Sequence, residues 1–236
     1  MKIEEEVSKV RSDLDGCTDQ KRKEMSVGYY PSSMEIMGVK VPDQRKVTNS
    51  LRKRIKGSSP EDVLYLAKAL VDTNVFECQQ VAYEMLSKDR KALALIGLRE
   101  LVELGKGLDN WVSVDTYSGY LSGVAWREGR VSDDVIRGWA RSEDRWIRRC
   151  ALVSTIALNQ KARGGTGDVE RTLMICEMLY SDKDDMVAKA LSWALRELSK
   201  IEREPVIEFM KEHGAELTSR VRREVKKKLE TGKKNR

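Results

Sequence analysis

Helix-capping residues recur along this chain at nearly even intervals. Asn74, Asn110, Asp144, Asp184 and Thr218 are separated by 36, 34, 40 and 34 residues. Side chains of this kind accept hydrogen bonds from the first free amides of a helix, so each marks an expected helix start. An apolar or aromatic residue often follows two positions later, as at Phe76, Val112, Trp146 and Met186. Small or apolar residues follow at plus six or seven: Val81, Ala151, Ala190 and Val225. This period is that of a two-helix repeat, which buries its apolar face only by stacking on its neighbours. Helical periodicity predicts helices near 43–56, 60–71, 75–87, 90–105, 111–128, 132–141, 145–159, 168–180, 185–199, 204–213 and 219–230. The gaps carry turn residues such as Gly57-Ser58-Ser59-Pro60 and Gly164-Gly165-Thr166-Gly167. The expected fold is all-α: a right-handed superhelical array of HEAT-like two-helix repeats with a concave basic groove. No long linker interrupts it, so one continuous domain over residues 1–236 is expected, with a basic tail from about residue 231 that need not be ordered.

Composition narrows the function classes. Of 236 residues, 40% are hydrophobic and 35% charged, which suits a folded soluble chain. The net charge is +6. It concentrates in the last segment, RVRREVKKKLETGKKNR, which suggests an anionic partner without identifying it. No stretch approaches the roughly 18–20 apolar residues of a membrane span, and the start MKIEEEVSKVRSD lacks the order of a signal peptide. A cytoplasmic monomer without a membrane partner is expected. Cys17, Cys78, Cys150 and Cys176 form no CxxC pair, which argues against a zinc knuckle or a thioredoxin-type motif. Reduced thiols are the simpler expectation. The single histidine, His213, reads as a surface residue near a helix end. It leaves no Ser-His or Cys-His pair and no His-rich metal site. ARGGTGD (162–168) lacks the GK[ST] ending of a phosphate-binding loop and reads as a plain loop. No metal or cofactor is expected.

Position plus five of the repeat carries the functional signal. It holds Gln79, Asp115, Arg149, Lys189 and Arg223, polar residues inside otherwise apolar patterns. One turn later, at plus nine, stand Tyr83, Gly119, Val153, Trp193 and Lys227, on the same helix face. If these helices line the inside of the array, the face is mostly cationic, with aromatics and one carboxylate. Trp111 and Asp115, four residues apart in LDNWVSVD, then point toward this groove. Cations with aromatics suit nucleic acid. A lone Asp opposes phosphate binding, and makes sense where positive charge develops during a reaction. Trp126, Trp139 and Trp146 are expected in the core. Of the neighbours Arg148 and Arg149, the register selects Arg149 for the groove.

DNWVSVD (109–115) resembles the W-x-x-V-D motif of the AlkD-like family of bacterial alkylpurine DNA glycosylases, built from HEAT-like repeats. DRWIRRCAL (144–152), VAKALSWALRELSK (187–200) and VGYYPSSMEIMGVKVPDQRK (27–46) are similar to further family segments in the same order. The resemblance spans about residues 20–230. Val112 stands where the family often has Asp, and Asn110 where relatives are often aromatic or small.

The resemblance implies that Asp115 is the catalytic carboxylate, that Trp111 and Trp193 flank the lesion nucleotide, and that Tyr29 touches it from the N-terminal side. It implies that Arg149 holds the DNA backbone. Lys189, Arg223, Lys227 and Arg148 are the further DNA-binding candidates. The implied substrate is double-stranded DNA carrying N3- or N7-alkylated purines. Such a base already carries positive charge and leaves without a general acid, so one carboxylate suffices where ordinary glycoside hydrolysis uses two. Asp115 would stabilise the oxocarbenium-like sugar and position water, and each tryptophan would add a cation–π contact of about 0.5–2 kcal/mol. The resemblance implies excision without base flipping. Two other readings stay open: a non-catalytic module for bent or branched DNA, and a protein-interaction scaffold.

Overall fold

The computed structural model describes residues 1–233; Lys234, Asn235 and Arg236 of the expected basic tail lie outside the described residues. The chain is about 70% helical. Among the described residues the only β pairing is two isolated bridges, Thr18 with Val39 and Glu35 with Val75. Two compact units divide it, Met1–Leu121 and Ser122–Arg236.

The first unit contains α1 (Ile3–Asp15), α2 (Gln20–Tyr29), α3 (Val41–Arg54), α4 (Pro60–Asp72), α5 (Phe76–Ser87), α6 (Arg90–Ala94), α7 (Leu98–Leu104) and α8 (Trp111–Tyr117). Helix α5 packs between α3 and α8 and also against α4, while α1 closes over α3 and α4. Fully buried Leu66, Leu70, Val81 and Leu86 show where the α4–α5 seam lies. The second unit contains α9 (Gly123–Arg127), α10 (Asp133–Ala140), α11 (Arg145–Ser154), α12 (Ile156–Asn159), α13 (Val169–Leu179), α14 (Asp185–Leu198), α15 (Glu204–Glu212) and α16 (Ser219–Thr231). There α14 packs between α11 and α16, with α10 on α11 and α13 on α14. In each unit the helices that begin at the repeating positions lie side by side, as a two-helix repeat requires.

Four of the five repeat markers are caps. The Asn110 side chain accepts from the Ser113 amide, Asp144 from Trp146, Asp184 from Met186 and Val187, and Thr218 from Val221. Asn74 is different. It adopts a left-handed conformation at φ 53° and makes the turn before α5, whose capping residue, Val75, offers no side-chain acceptor. Asparagine tolerates that region better than most residues.

Two helices precede the first one that periodicity predicts. Helix α1 places Ile3, Val7, Val10 and Leu14 along one stripe, and Val10 and Leu14 are fully buried. Its first turn, Glu4-Glu5-Glu6, puts carboxylates at the positive end of the helix. The predicted helix 90–105 is broken at residues 95–97, where Gly97 starts α7. The predicted helix 111–128 is interrupted by a π-helical stretch, Ser118–Ser122.

Trp126 is fully buried, as the sequence predicts, and its indole donates to Asp133 at 2.7 Å. Trp139 and Trp146 are only half-buried, and Trp146 lies under the Arg145 guanidinium at 4.9 Å. Trp139 lies near the end of α10 and Trp146 near the start of α11. Trp126→Ala is expected to cost about 3–5 kcal/mol in denaturant unfolding, from lost burial and an unfilled cavity. No helix among the described residues is long and apolar enough to cross a membrane.

Candidate active site

The start of α8 is held by a segment without helix, residues 31–40. Asp109, one residue before the cap, accepts from the Ser32 hydroxyl and the Ser33 amide. Glu77, in the first turn of α5, does the same further along. It is 1% exposed and accepts from the amides of Met37 at 2.9 Å, Gly38 at 2.8 Å and Val39 at 3.2 Å. The Glu35 amide donates to the Asn74 carbonyl, and the Phe76 amide donates back to the Glu35 carbonyl. Two carboxylates and a bridge thus fasten the segment across the starts of α5 and α8. Gly38 is required twice there. Its φ is +85°, and a Cβ would meet the Lys23 backbone at 2.6 Å.

This fastening positions the aromatic residues. Tyr30, Met34, Ile36 and Phe76 form a buried cluster, and Trp111 and Val112 pack against it. Tyr30 stacks on Phe76 at 4.8 Å. Tyr29 is 70% exposed and meets Trp111 edge-on at 5.4 Å. The Trp111 indole N–H donates to the Tyr29 carbonyl at 3.4 Å. Trp111 therefore rests partly on the core and partly against a solvent-facing tyrosine. Asp115 follows one helical turn later, half-buried, and the π-helical stretch begins three residues beyond it. Such stretches widen a helix locally and are frequent at functional sites.

Beside Trp111 opens a cavity of about 310 Å³. Tyr29, Tyr30, Phe76, Trp111 and Tyr120 supply aromatic wall, and Arg22, Arg45 and Glu84 supply charge. Sequence reasoning missed most of this lining. Arg45 had a visible signal, since it lies in the segment 27–46 whose sequence is similar to a family segment. Arg22, Phe76 and Gln80 had none, because contact across elements, not local spacing, brings them there.

The Asp109 carboxyl responds to two opposed effects. Burial pushes its pKa up, but the bonds from Ser32 and Ser33 outweigh burial and hold it below the ordinary carboxylate value. A carboxyl with a depressed folded-state pKa contributes stability above its unfolded value, near 4, and loses it as pH falls through the folded value. Acidification below about pH 4 is therefore expected to loosen the first unit. Asp109→Asn should flatten that part of the stability–pH curve, as read by thermal unfolding.

A family model described as DNA alkylation repair enzyme matches residues 10–229. The chain belongs to that family. A solved structure, a predicted DNA alkylation repair enzyme from Enterococcus faecalis, is similar at 21% identity. The likeness covers 91% of this chain and 97% of that one, with a TM-score of 0.72. At that identity the likeness establishes the shared fold. No curated protein matches.

The first unit of this DNA alkylation repair family member thus brings together Tyr29, Trp111 and, one turn on, Asp115. The other sequence-predicted residues lie in the second unit. Trp193 is half-buried and its indole donates to Glu197 at 3.3 Å. Lys189 pairs with Asp185 at 2.6 Å. Arg223 is exposed and Lys227 half-buried on α16.

The plus-five and plus-nine register does not describe a uniformly open face. Gln79, Tyr83 and Val153 are buried in the packing between helices. Arg149, selected by that register to face DNA, is 5% exposed and donates to the Met186 carbonyl, fixing the start of α14. Its neighbour Arg148 pairs with Asp182 at 2.7 Å and also donates to the Ser142 and Glu143 carbonyls. Both arginines are engaged within the second unit, because each follows a cap and reaches the exposed carbonyls and carboxylates of adjacent turns.

His213 ends α15, as expected, but is buried rather than on the surface. It packs against Tyr180 at 4.3 Å and Phe209 at 4.7 Å, with Nε2 at 2.8 Å from Glu177. With Glu212 it forms a trio whose ligand atoms lie within 4.8 Å of one another, but the pairing with Glu177 already accounts for the imidazole. The four cysteines are thiols rather than disulfides; burial pushes Cys78 up to about 11 and Cys176 further, which suits inert core residues.

Proposed function

We propose that this protein is a monofunctional DNA glycosylase that hydrolyses the N-glycosidic bond of cationic N3- or N7-alkylated purines in duplex DNA. The observation that carries the reading is the Trp111–Asp115 face beside exposed Tyr29, in a chain of the DNA alkylation repair family. An alkylated purine leaves as a neutral base, so the enzyme supplies no acid. The charge to be stabilised develops on the deoxyribose. Asp115 sits opposite that charge, lowers the barrier electrostatically and orients the attacking water. The indole of Trp111 and the ring of Tyr29 offer π faces to the same cation. Trp193, half-buried on α14, offers an aromatic face to DNA from the second unit. The resemblance to alkylpurine DNA glycosylases further supports excision with the lesion still in the duplex rather than flipped into a pocket. The protein acts as a monomer, without metal or cofactor, in the cytoplasm on nucleoid DNA.

Sequence-independent affinity comes from cations of the second unit, chiefly exposed Arg223 and half-buried Lys227, with Lys189 and Arg148 contributing once DNA competes for their carboxylate partners. Arg149 acts by fixing α14 rather than by meeting phosphate. Each direct phosphate contact releases about one counterion. Arg223→Ala and Lys227→Ala are each expected to reduce the slope of log affinity against log salt by about 1, measured by fluorescence anisotropy on a labelled duplex.

The test is release of free base from a duplex with one 7-methylguanine, beside the same duplex carrying uracil. The reading expects release of the cationic base alone. Equal release of both, or of neither, would remove it.

A further inference from the structure

The cavity beside Trp111 is built on one side of the Trp111–Asp115 face. Val112, Thr116 and Tyr120 line it from α8 and its π-helical continuation, whereas Asp115 is not part of its wall. At about 310 Å³ it falls at the lower end of small-molecule sites, roughly 300–1,000 Å³. It therefore has its own capacity for a ligand beside the catalytic carboxylate.

The lining has two chemical halves. One is aromatic: Tyr30 stacked on Phe76, with Trp111 packed against them. Flat π faces of this kind suit a nucleobase. The other half is polar and charged. Arg22 lines the cavity, and its buried Nε makes no hydrogen bond in the fold. An orphaned donor of that kind carries a desolvation cost unless a ligand satisfies it. Arg45, also in the wall, is 62% exposed in its side chain and lies 3.9 Å from Glu84, too long for a hydrogen bond. The Glu84 carboxylate is instead held by Lys88 at 2.7 Å. Two guanidiniums thus stand at the edge of an aromatic slot, Arg45 in a loose ion pair with Glu84 for which an anion competes. Gln44 and Gln80, both largely buried, put amide groups in the same wall.

We propose that this cavity binds one unstacked purine nucleotide, its base against Tyr30, Phe76 and Trp111 and its phosphate at Arg22 and Arg45. Guanidiniums suit phosphate because their N–H groups match its oxygens in pairs. The amides of Gln44 and Gln80 and the carboxylate of Glu84 meet the hydrogen-bonding edge of the base. The nucleotide is either free or turned out of bound DNA next to the lesion. This site deepens the glycosylase reading and rests on DNA being the partner, but its ligand is not the base being cleaved.

The probes are guanosine monophosphate, guanosine and inorganic phosphate, titrated by calorimetry into the intact protein. Guanosine monophosphate is expected to bind roughly tenfold more tightly than guanosine, the phosphate contact supplying the difference. Arg22→Met should bring it to the guanosine level. Val112→Trp, which fills the cavity, should abolish both, with thermal unfolding and Asp115→Asn as controls for folding and for the neighbouring face. In a second arm, 2-aminopurine is placed beside the lesion in a duplex. Brightening on binding that Val112→Trp removes assigns the site to a nucleotide turned out of DNA. Guanosine monophosphate binding without brightening assigns it to a free nucleotide. No binding of guanosine monophosphate beyond that of inorganic phosphate and no brightening would overturn the proposal, as would responses that neither variant alters. Base release is measured separately. If release occurs without nucleotide binding, this inference fails alone; if nucleotide binds without release, the glycosylase reading fails alone.

Discussion

Asp115→Asn is expected to slow base release from a 7-methylguanine duplex by about 100-fold or more, the range set by removing one preorganised group from a developing charge. Affinity for undamaged DNA should stay the same or rise slightly, because the substitution removes an anion from the face proposed to meet DNA. The side chain keeps its size, so folding is not the cause of the loss. The two measurements separate chemistry from binding. A protein whose Asp115 serves only to solvate α8 would lose neither. Trp111→Ala should differ in kind. It removes a ring that also rests on the Tyr30–Phe76 cluster, so stability and base release fall together.

Glu77→Ala is expected to have the largest effect on stability in the first unit. One buried carboxylate accepts three backbone amides, from Met37, Gly38 and Val39. Its removal leaves buried donors unsatisfied at about 1–3 kcal/mol each, and about 3–5 kcal/mol in sum is expected after partial relaxation. Glu77→Gln keeps one acceptor oxygen and should fall between. Hydrogen exchange at the three amides reads the local effect, and denaturant unfolding reads the global one. Loss of this anchor should also free the segment that holds Tyr29 against Trp111 and reduce base release, although Glu77 touches no substrate. Unchanged exchange at Met37, Gly38 and Val39 in Glu77→Ala would contradict this account of the segment.

The sequence disclosed the repeat because capping is local chemistry. Asn110, Asp144, Asp184 and Thr218 each act within three residues of themselves. The same locality makes the pairing of Trp111 with Asp115 legible from spacing alone, since the two stand one turn apart on a helix. It also explains the misjudged Asn74, since a turn residue and a cap share a side chain and differ only in backbone angle. Helix α1 was not legible, because dense charge masks its Ile3–Val7–Val10–Leu14 spacing. The fate of Arg149 was not legible, because its burial depends on the Met186 carbonyl, 37 residues away. Nor was the cavity, whose wall draws on α2, α3, α5 and α8 together. Asp109 and Glu77 look like ordinary acidic residues near helix starts. Only the fold shows that Asp109, just before α8, and Glu77, in the first turn of α5, hold the 32–39 segment.

The most direct test of the central claim is a single-turnover time course of 7-methylguanine release from duplex DNA, wild type against Asp115→Asn at equal DNA occupancy. The account predicts release by the wild type, leaving an intact abasic strand, and a rate at least about 100-fold lower in the variant. Equal rates, or salt-sensitive binding with no release by either protein, would contradict it.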